Sequence, residues 1–159
     1  MALYLQIQGI NGSVSATGVN NAILINSLQH HGAQTISVDD GSKCRRVQGG
    51  LTFHDVTVIK PLDCSSSSLL HAFYTAKVIP MVTCIFAVTG DQLLPVVKEE
   101  FKNAIITHYE TCFHSTGMPT EKITLNISAI TMRYMGADNK GNGQSPRATG
   151  YDFVLRQVF

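Results

Sequence analysis

Leu3, Leu5 and Ile7 alternate with Tyr4, Gln6 and Gln8, the two-residue period of a strand with one apolar and one polar face. Asn11 and Gly12 then supply turn residues. Further β-like runs fall at residues 22–29, 51–60, 79–88, 122–134 and 151–159, parted by clusters of Gly, Asn, Asp and Pro that punctuate extended chain. Val, Ile and Thr, whose branched Cβ suits a pleated half-buried surface, number 13, 13 and 14. The pattern predicts a mainly β protein, an antiparallel barrel or sandwich.

One segment breaks that period. Behind Asp63 and the serines at 65–68, which can cap a helix, Leu69, Leu70, Phe73 and Ala76 recur at helical spacing. Burying Leu69, Leu70 and Phe73 would stabilise the fold by roughly 1.5–3 kcal/mol each, more than the weak helix propensity of the serines costs. One short amphipathic α-helix should therefore plug an open end of the barrel. Residues 96–110 fit either element, because Val97, Phe101, Ile105 and Tyr109 form a helical stripe as readily as a strand face. Residues 37–50 and the Gly-rich 136–150 read as long loops, which on a compact domain are usually functional or disordered.

At 159 residues the chain has the length of a single domain spanning 1–159, long enough to bury a core without a disulfide or metal staple. Charged residues make up 14%, well under the roughly 25% of an average soluble domain. Ser, Thr, Asn and Gln take their place, and a neutral polar surface can meet other protein at low desolvation cost. A net charge of +1 excludes the electrostatic footprint of a nucleic-acid binder. The most apolar stretch, 78–88, is interrupted by Pro80 and Thr83 and is too short for a membrane helix, so no membrane insertion is expected. Residues 1–10 lack the basic and uniformly apolar regions of a secretory signal.

Candidate chemistry is sparse. His108, Glu110, Cys112 and His114 share parity and would line one strand face, a set able to hold zinc or to activate a thiolate, but also the wet face of any half-solvated strand. His30 and His31 are consecutive and point to opposite faces, which disfavours a shared ion. Cys44, Cys64, Cys84 and Cys112 form no Cys-x-x-Cys pair, and Cys84 reads as a small core residue. Gly141 and Gly143 lack the Lys-Ser/Thr of a phosphate loop, and no Gly-x-Ser-x-Gly elbow occurs. No catalytic residue, metal ligand or cofactor is assigned, with a Cys/His metal-dependent enzyme as the lesser alternative. Asp39, Asp40, Lys43, Arg45 and Arg46 put opposite charges on one projecting segment, where they can pair with a second copy.

The order of features is that of a known family: MALYLQIQGINGS at the start, Lys-Pro-Leu-Asp leading into the serine-led helix, then KVIPMVTCIF and GMPTEKITLNISAITMRY. The chain resembles the haemolysin-coregulated proteins, which form the inner tube of bacterial type VI secretion systems. Asp63, Ser66, Leu69, Leu70, Pro80, Pro119, Thr120 and Glu121 look like family positions, and the likeness extends to Gly150, Tyr151 and Asp152. The resemblance implies an antiparallel β-barrel of two packed sheets with one helix. It implies a homohexameric ring whose rings stack, with the type VI sheath, spike and effector proteins as partners. It also implies export from the bacterial cytoplasm through that apparatus, resolves 96–110 towards strand, and places 37–50 across a ring interface. A ring-shaped effector carrier that forms no tubes is the alternative within the family.

Overall fold

The computed structural model describes residues 1–16, 18–39, 45–89, 93–136 and 147–159. The chain opens with β1 (Ala2–Ile7), β2 (Val14–Ala16), β3 (Val19–Leu24) and β4 (Ser27–Gln29). Next come β5 (Gly32–Asp39), β6 (Arg45–Phe53), β7 (Val56–Pro61) and the helix α1 (Ser66–Tyr74). It ends with β8 (Ile79–Thr89), β9 (Leu93–Cys112), β10 (Thr120–Asn126), β11 (Ala129–Tyr134), β12 (Arg147–Asp152) and β13 (Gln157–Val158). All pairings are antiparallel.

One sheet runs β2-β3-β1-β8-β9-β11-β12-β13, and a second runs β4-β7-β10-β9. The 20-residue β9 belongs to both. Its first half pairs with β8 and β11, and its second half, from Ile105, with β10. The change of sheet falls at Asn103, whose φ of 49° lies in the left-handed region that Asn tolerates. The Asn103 side chain donates to Ser128 Oγ at 3.0 Å, and Ser128 donates from both its amide and its hydroxyl to the Lys102 carbonyl. The mainly β class with two packed sheets and one helix holds. Among the described residues the barrel is not closed, because β2 and β13 end the first sheet without pairing with each other.

Leu5, Ile7, Ile23, Val56, Val58, Val82, Phe101, Ile106, Ile123 and Leu125 fill the space between the sheets. Tyr4, on the face expected to be polar, is buried in a second small cluster with Val19, Ala22, Ile85 and Ala87. The first turn comes earlier than the pattern suggested, at Gly9, where φ is +84°. Gly12 serves a different need: its amide bonds the Asn21 carbonyl, and a Cβ there would meet the Ala22 oxygen at 2.1 Å. Several long runs are each two elements. Residues 51–60 break at His54-Asp55, where Asp55 accepts from Thr107 and Asn126 at 3.1 and 2.8 Å. Residues 122–134 break at Ile127-Ser128, the same corner that Asn103 pins.

The helix α1 lies where its pattern predicts and buries Leu69 and Ala72 in the main core, with Leu70 and Phe73 half-buried. It stops at Tyr74, so Ala76, exposed at φ +47°, follows the helix rather than extending its stripe. Residues 37–50 differ more: apart from 40–44, which lie outside the described residues, they are the outer parts of β5 and β6. Those strands pair with each other and, among the described residues, with no other strand. Of the predicted loop 136–150, residues 137–146 lie outside the described residues and 147–150 belong to β12.

Candidate functional site

Two features stand out from the sheets. The first is the β5–β6 ribbon. Its register sets Gly32 opposite Phe53, Gln34 opposite Leu51, Ile36 opposite Gln48, and Val38 opposite Arg46. A bulge between Gln34 and Ile36 adds a residue to β6, and Gly49 lets that strand pass Thr35, whose carbonyl oxygen a Cβ would meet at 2.7 Å. Cross-strand partners share a face, so Phe53, Leu51, Ile36 and Val38 form one apolar stripe. The stripe starts half-buried at Phe53 and grows more exposed outward: 44% at Leu51, 56% at Ile36 and 61% at Val38. The opposite face carries Ala33, Thr35, Ser37, Thr52 and Val47.

Where the ribbon leaves the sheets, a cavity of 680 Å³ lies between Leu51 and Phe53 on one side and Tyr151, Phe153 and Arg156 on the other. Phe153 joins the Phe53 and Tyr151 rings into one aromatic floor, at 4.6 and 5.2 Å between centres. At the ribbon's outer end Asp39 faces Arg45 in register, and Arg46 is exposed beside Val38. Of the charged residues singled out from sequence, Asp40 and Lys43 lie outside the described residues.

The second feature is a buried polar cluster beneath α1. Lys60, fully buried in β7, places its ammonium 2.7 Å from Glu121 of β10, 2.9 Å from Asp63 and 3.2 Å from Ser66 Oγ. Ser66 donates to the same Glu121 oxygen at 2.9 Å, and Tyr109 donates to the other. Asp63 also accepts from the Ser65 amide at 3.0 Å and the Ser65 hydroxyl at 2.5 Å, closing the turn into the helix. Burial pushes the Asp63 carboxyl up, but hydrogen bonds from Ser65 and Lys60 and the Lys60 charge outweigh it, so it titrates below its ordinary 3.8. The Tyr109 phenol is pushed up by burial and by Glu121. The family-like positions Asp63, Ser66 and Glu121 thus meet in one network, and the Pro119 carbonyl accepts from the Leu62 amide at 3.0 Å. The network ties the helix start to β7, β10 and β9 of the second sheet, which is a positioning role.

The candidate metal face does not assemble. His108, Glu110 and Cys112 do share one exposed side of β9, with His108 Nε2 3.8 Å from Glu110. The strand stops at Cys112, leaving His114 off that face. Among the described residues no group of three or more His, Cys, Asp and Glu side chains could hold a metal ion. Cys84 is buried in the core, and burial together with Glu99 pushes its thiol up to about 12, far from a reactive thiolate. His30 and His31 do diverge: His30 pairs with Glu99, and His31 stacks on His54 with centres 4.0 Å apart. No helix is long and apolar enough to cross a membrane among the described residues.

The fold is shared widely among solved structures. A type six secretion system protein superposes with a TM-score of 0.89 at 14% identity, covering 99% of each chain. Hcp1 from Salmonella typhimurium gives 0.79 at 19% identity, covering 99% of this chain and 98% of its own. A mutant of Hcp1 from E. coli EAEC 042 gives 0.69 at 17% identity, covering 96% and 97%. Among curated proteins none matches the chain. The family described as type VI secretion system effector, Hcp, matches residues 4–134, a span that holds most of β1, the ribbon, the buried network and β9. The chain therefore belongs to the Hcp family, the tube-forming and secreted proteins of type VI secretion systems, in which ring formation is characteristic.

Proposed function

We propose that this chain is a structural, non-catalytic subunit of the type VI inner tube: six copies close a ring, rings stack, and effectors travel in the lumen. The ribbon carries the reading. A two-stranded ribbon is marginal alone in water, and this one holds an apolar stripe towards solvent with, among the described residues, no strand of either sheet paired to it. A neighbouring copy supplies the missing cover, and a closed ring does so for every subunit at once. The low charge and net +1 remove long-range repulsion between copies. In this reading Asp39, Asp40, Lys43, Arg45 and Arg46 form the inter-subunit or inter-ring contact, and Leu69, Leu70 and Phe73 hold the helix over the end of the barrel. The sheath, spike and effector proteins are its partners, and the subunit is made in the bacterial cytoplasm and exported through the apparatus.

The test is solution mass by light scattering on purified protein, with negative-stain images of the same fraction. About six subunits per particle with annular images is the expected result, on the resemblance given above. A monomer that persists at high concentration would overturn the ring. Annular particles that bind effectors but never stack would favour the carrier form.

A further inference from the structure

The ribbon's attachment to the barrel contains an ionisable contact that the assembly reading does not use. His30, two residues before the ribbon, places Nε2 3.2 and 3.3 Å from the two carboxylate oxygens of Glu99 in β9. Its ring lies between Phe53 of β6, 5.5 Å away between centres, and Phe101 of β9, 6.3 Å away and edge-on. Glu99 is only 8% exposed and stands directly across the ladder from Cys84 of β8. Leu28 of β4 joins Cys84 and Glu99 around a cavity of 190 Å³. Among the described residues neither β5 nor β6 shares a ladder with either sheet, so this contact and the Phe53–Phe153 packing help fix the ribbon's root to the wall, beside the Asp55 corner that Thr107 and Asn126 hold.

We propose that the His30–Glu99 pair is a protonation-dependent latch on the β5–β6 ribbon, closed when the imidazole is charged and loosened when it is neutral. A charge-assisted bond to a nearly buried carboxylate is roughly twice as strong as a neutral one. The hydrogen bond to Glu99 raises the His30 pKa above its ordinary 6.5, burial opposes this, and the Glu99 charge adds to the rise. The latch is therefore at full strength below 6.5 and is lost as the pH rises through the raised value. Cys84, the other titratable group facing the pair, stays a neutral thiol because burial and Glu99 push it up to about 12. His31 and His54, stacked at 4.0 Å at the same root, repel one another when both are charged, which opposes the latch. A His31→Gln background removes that contribution.

The experiment follows the histidine ring signals of the full chain by NMR from pH 5 to 9, together with hydrogen exchange of ribbon amides referenced to core amides of β8 in the same sample. The expected result is a His30 midpoint above 6.5 that Glu99→Gln lowers. Ribbon exchange relative to β8 should accelerate severalfold across that midpoint in the wild type and stay flat in His30→Gln. A midpoint unmoved by Glu99→Gln, or a wild-type ratio flat across it, overturns the latch. If Glu99→Gln fails to fold, the His30→Gln comparison decides alone. Because a ring would itself cover the ribbon, light scattering reports the assembly state of each sample, and the exchange ratio is compared between wild type and variant in the same state.

Discussion

The helix α1 and the β5–β6 ribbon both leave the two sheets, and they resolve the cost of leaving in opposite ways. The helix brings its polar start down onto buried partners, so that Lys60, Asp63, Ser66, Tyr109 and Glu121 satisfy one another within the chain. Its apolar face is covered too, with Leu69 and Ala72 in the main core. The ribbon finds no such cover, since its stripe from Leu51 to Val38 becomes more exposed with distance from the barrel. An excursion completed internally serves the stability of the subunit, and one left incomplete serves contact with something else. The contrast separates residues whose loss should unfold the protein from residues whose loss should leave it folded and alone.

Glu121→Ala strikes hardest, because it leaves the fully buried Lys60 ammonium without its nearest carboxylate; urea denaturation should show a loss of about 3–5 kcal/mol. Replacing both partners, as Lys60→Met with Glu121→Leu, should cost clearly less than the single change, since no charge is then stranded. Equal costs would mean that the network matters through shape and not through charge. Next in size is Asp63→Asn. Because the Asp63 carboxyl is held below 3.8, its contribution is complete above that pH and fades as the pH falls through the lowered value. The gap in stability between variant and wild type should therefore be largest near neutrality and close in strong acid.

The ribbon variants should move the fold least. Ile36→Ser with Val38→Ser should stay within about 0.5 kcal/mol of wild type in urea, as exposed positions do, while the fraction of rings seen by light scattering drops. A larger loss of stability would show the ribbon already packed in the free subunit and would erase the contrast. Smallest of all on the fold is Arg45→Glu with Arg46→Glu, expected to leave single rings intact and shorten stacks in electron micrographs. Stacks of unchanged length would remove the ribbon's end from ring-to-ring contact.

Alternation made β1 legible, because its main-core face stays on one parity, with Leu5 and Ile7. It failed on β9 for a physical reason. Its core-facing parity runs through Glu99 and Phe101, changes at Asn103 to Ala104 and Ile106, and changes again at the bulge beside Thr107. Val97, Phe101, Ile105 and Tyr109 share one parity at four-residue steps, which suits a strand face and a helical stripe alike, and the family resemblance settled what periodicity left open. The ribbon read as loop because Gly49, Gly50 and charged residues dominate it and because its apolar stripe faces no core of its own. The polar cluster was half legible: Asp63, Ser66 and Glu121 were noticed as family positions, but nothing local shows that Lys60 meets a residue 61 positions away. His30 and Glu99, 69 positions apart, are hidden in the same manner.

The position of β9 in both sheets also sets the order in which the chain can fold as it is made. On one side β1 has β3 from the start, but its other neighbour, β8, begins at Ile79; likewise β7 gains β10 only once Thr120 is made. At roughly 5–20 residues per second, the early strands wait several seconds with one edge unpaired. The β8–β9 hairpin, joined by adjacent sequence and a register from Ile79 opposite Ala104 to Thr89 opposite Leu93, is the first piece able to end that wait. A nascent chain stalled before Thr120 carries open strand edges on both sheets, a product inclined to pair with its neighbours before it has become a subunit at all.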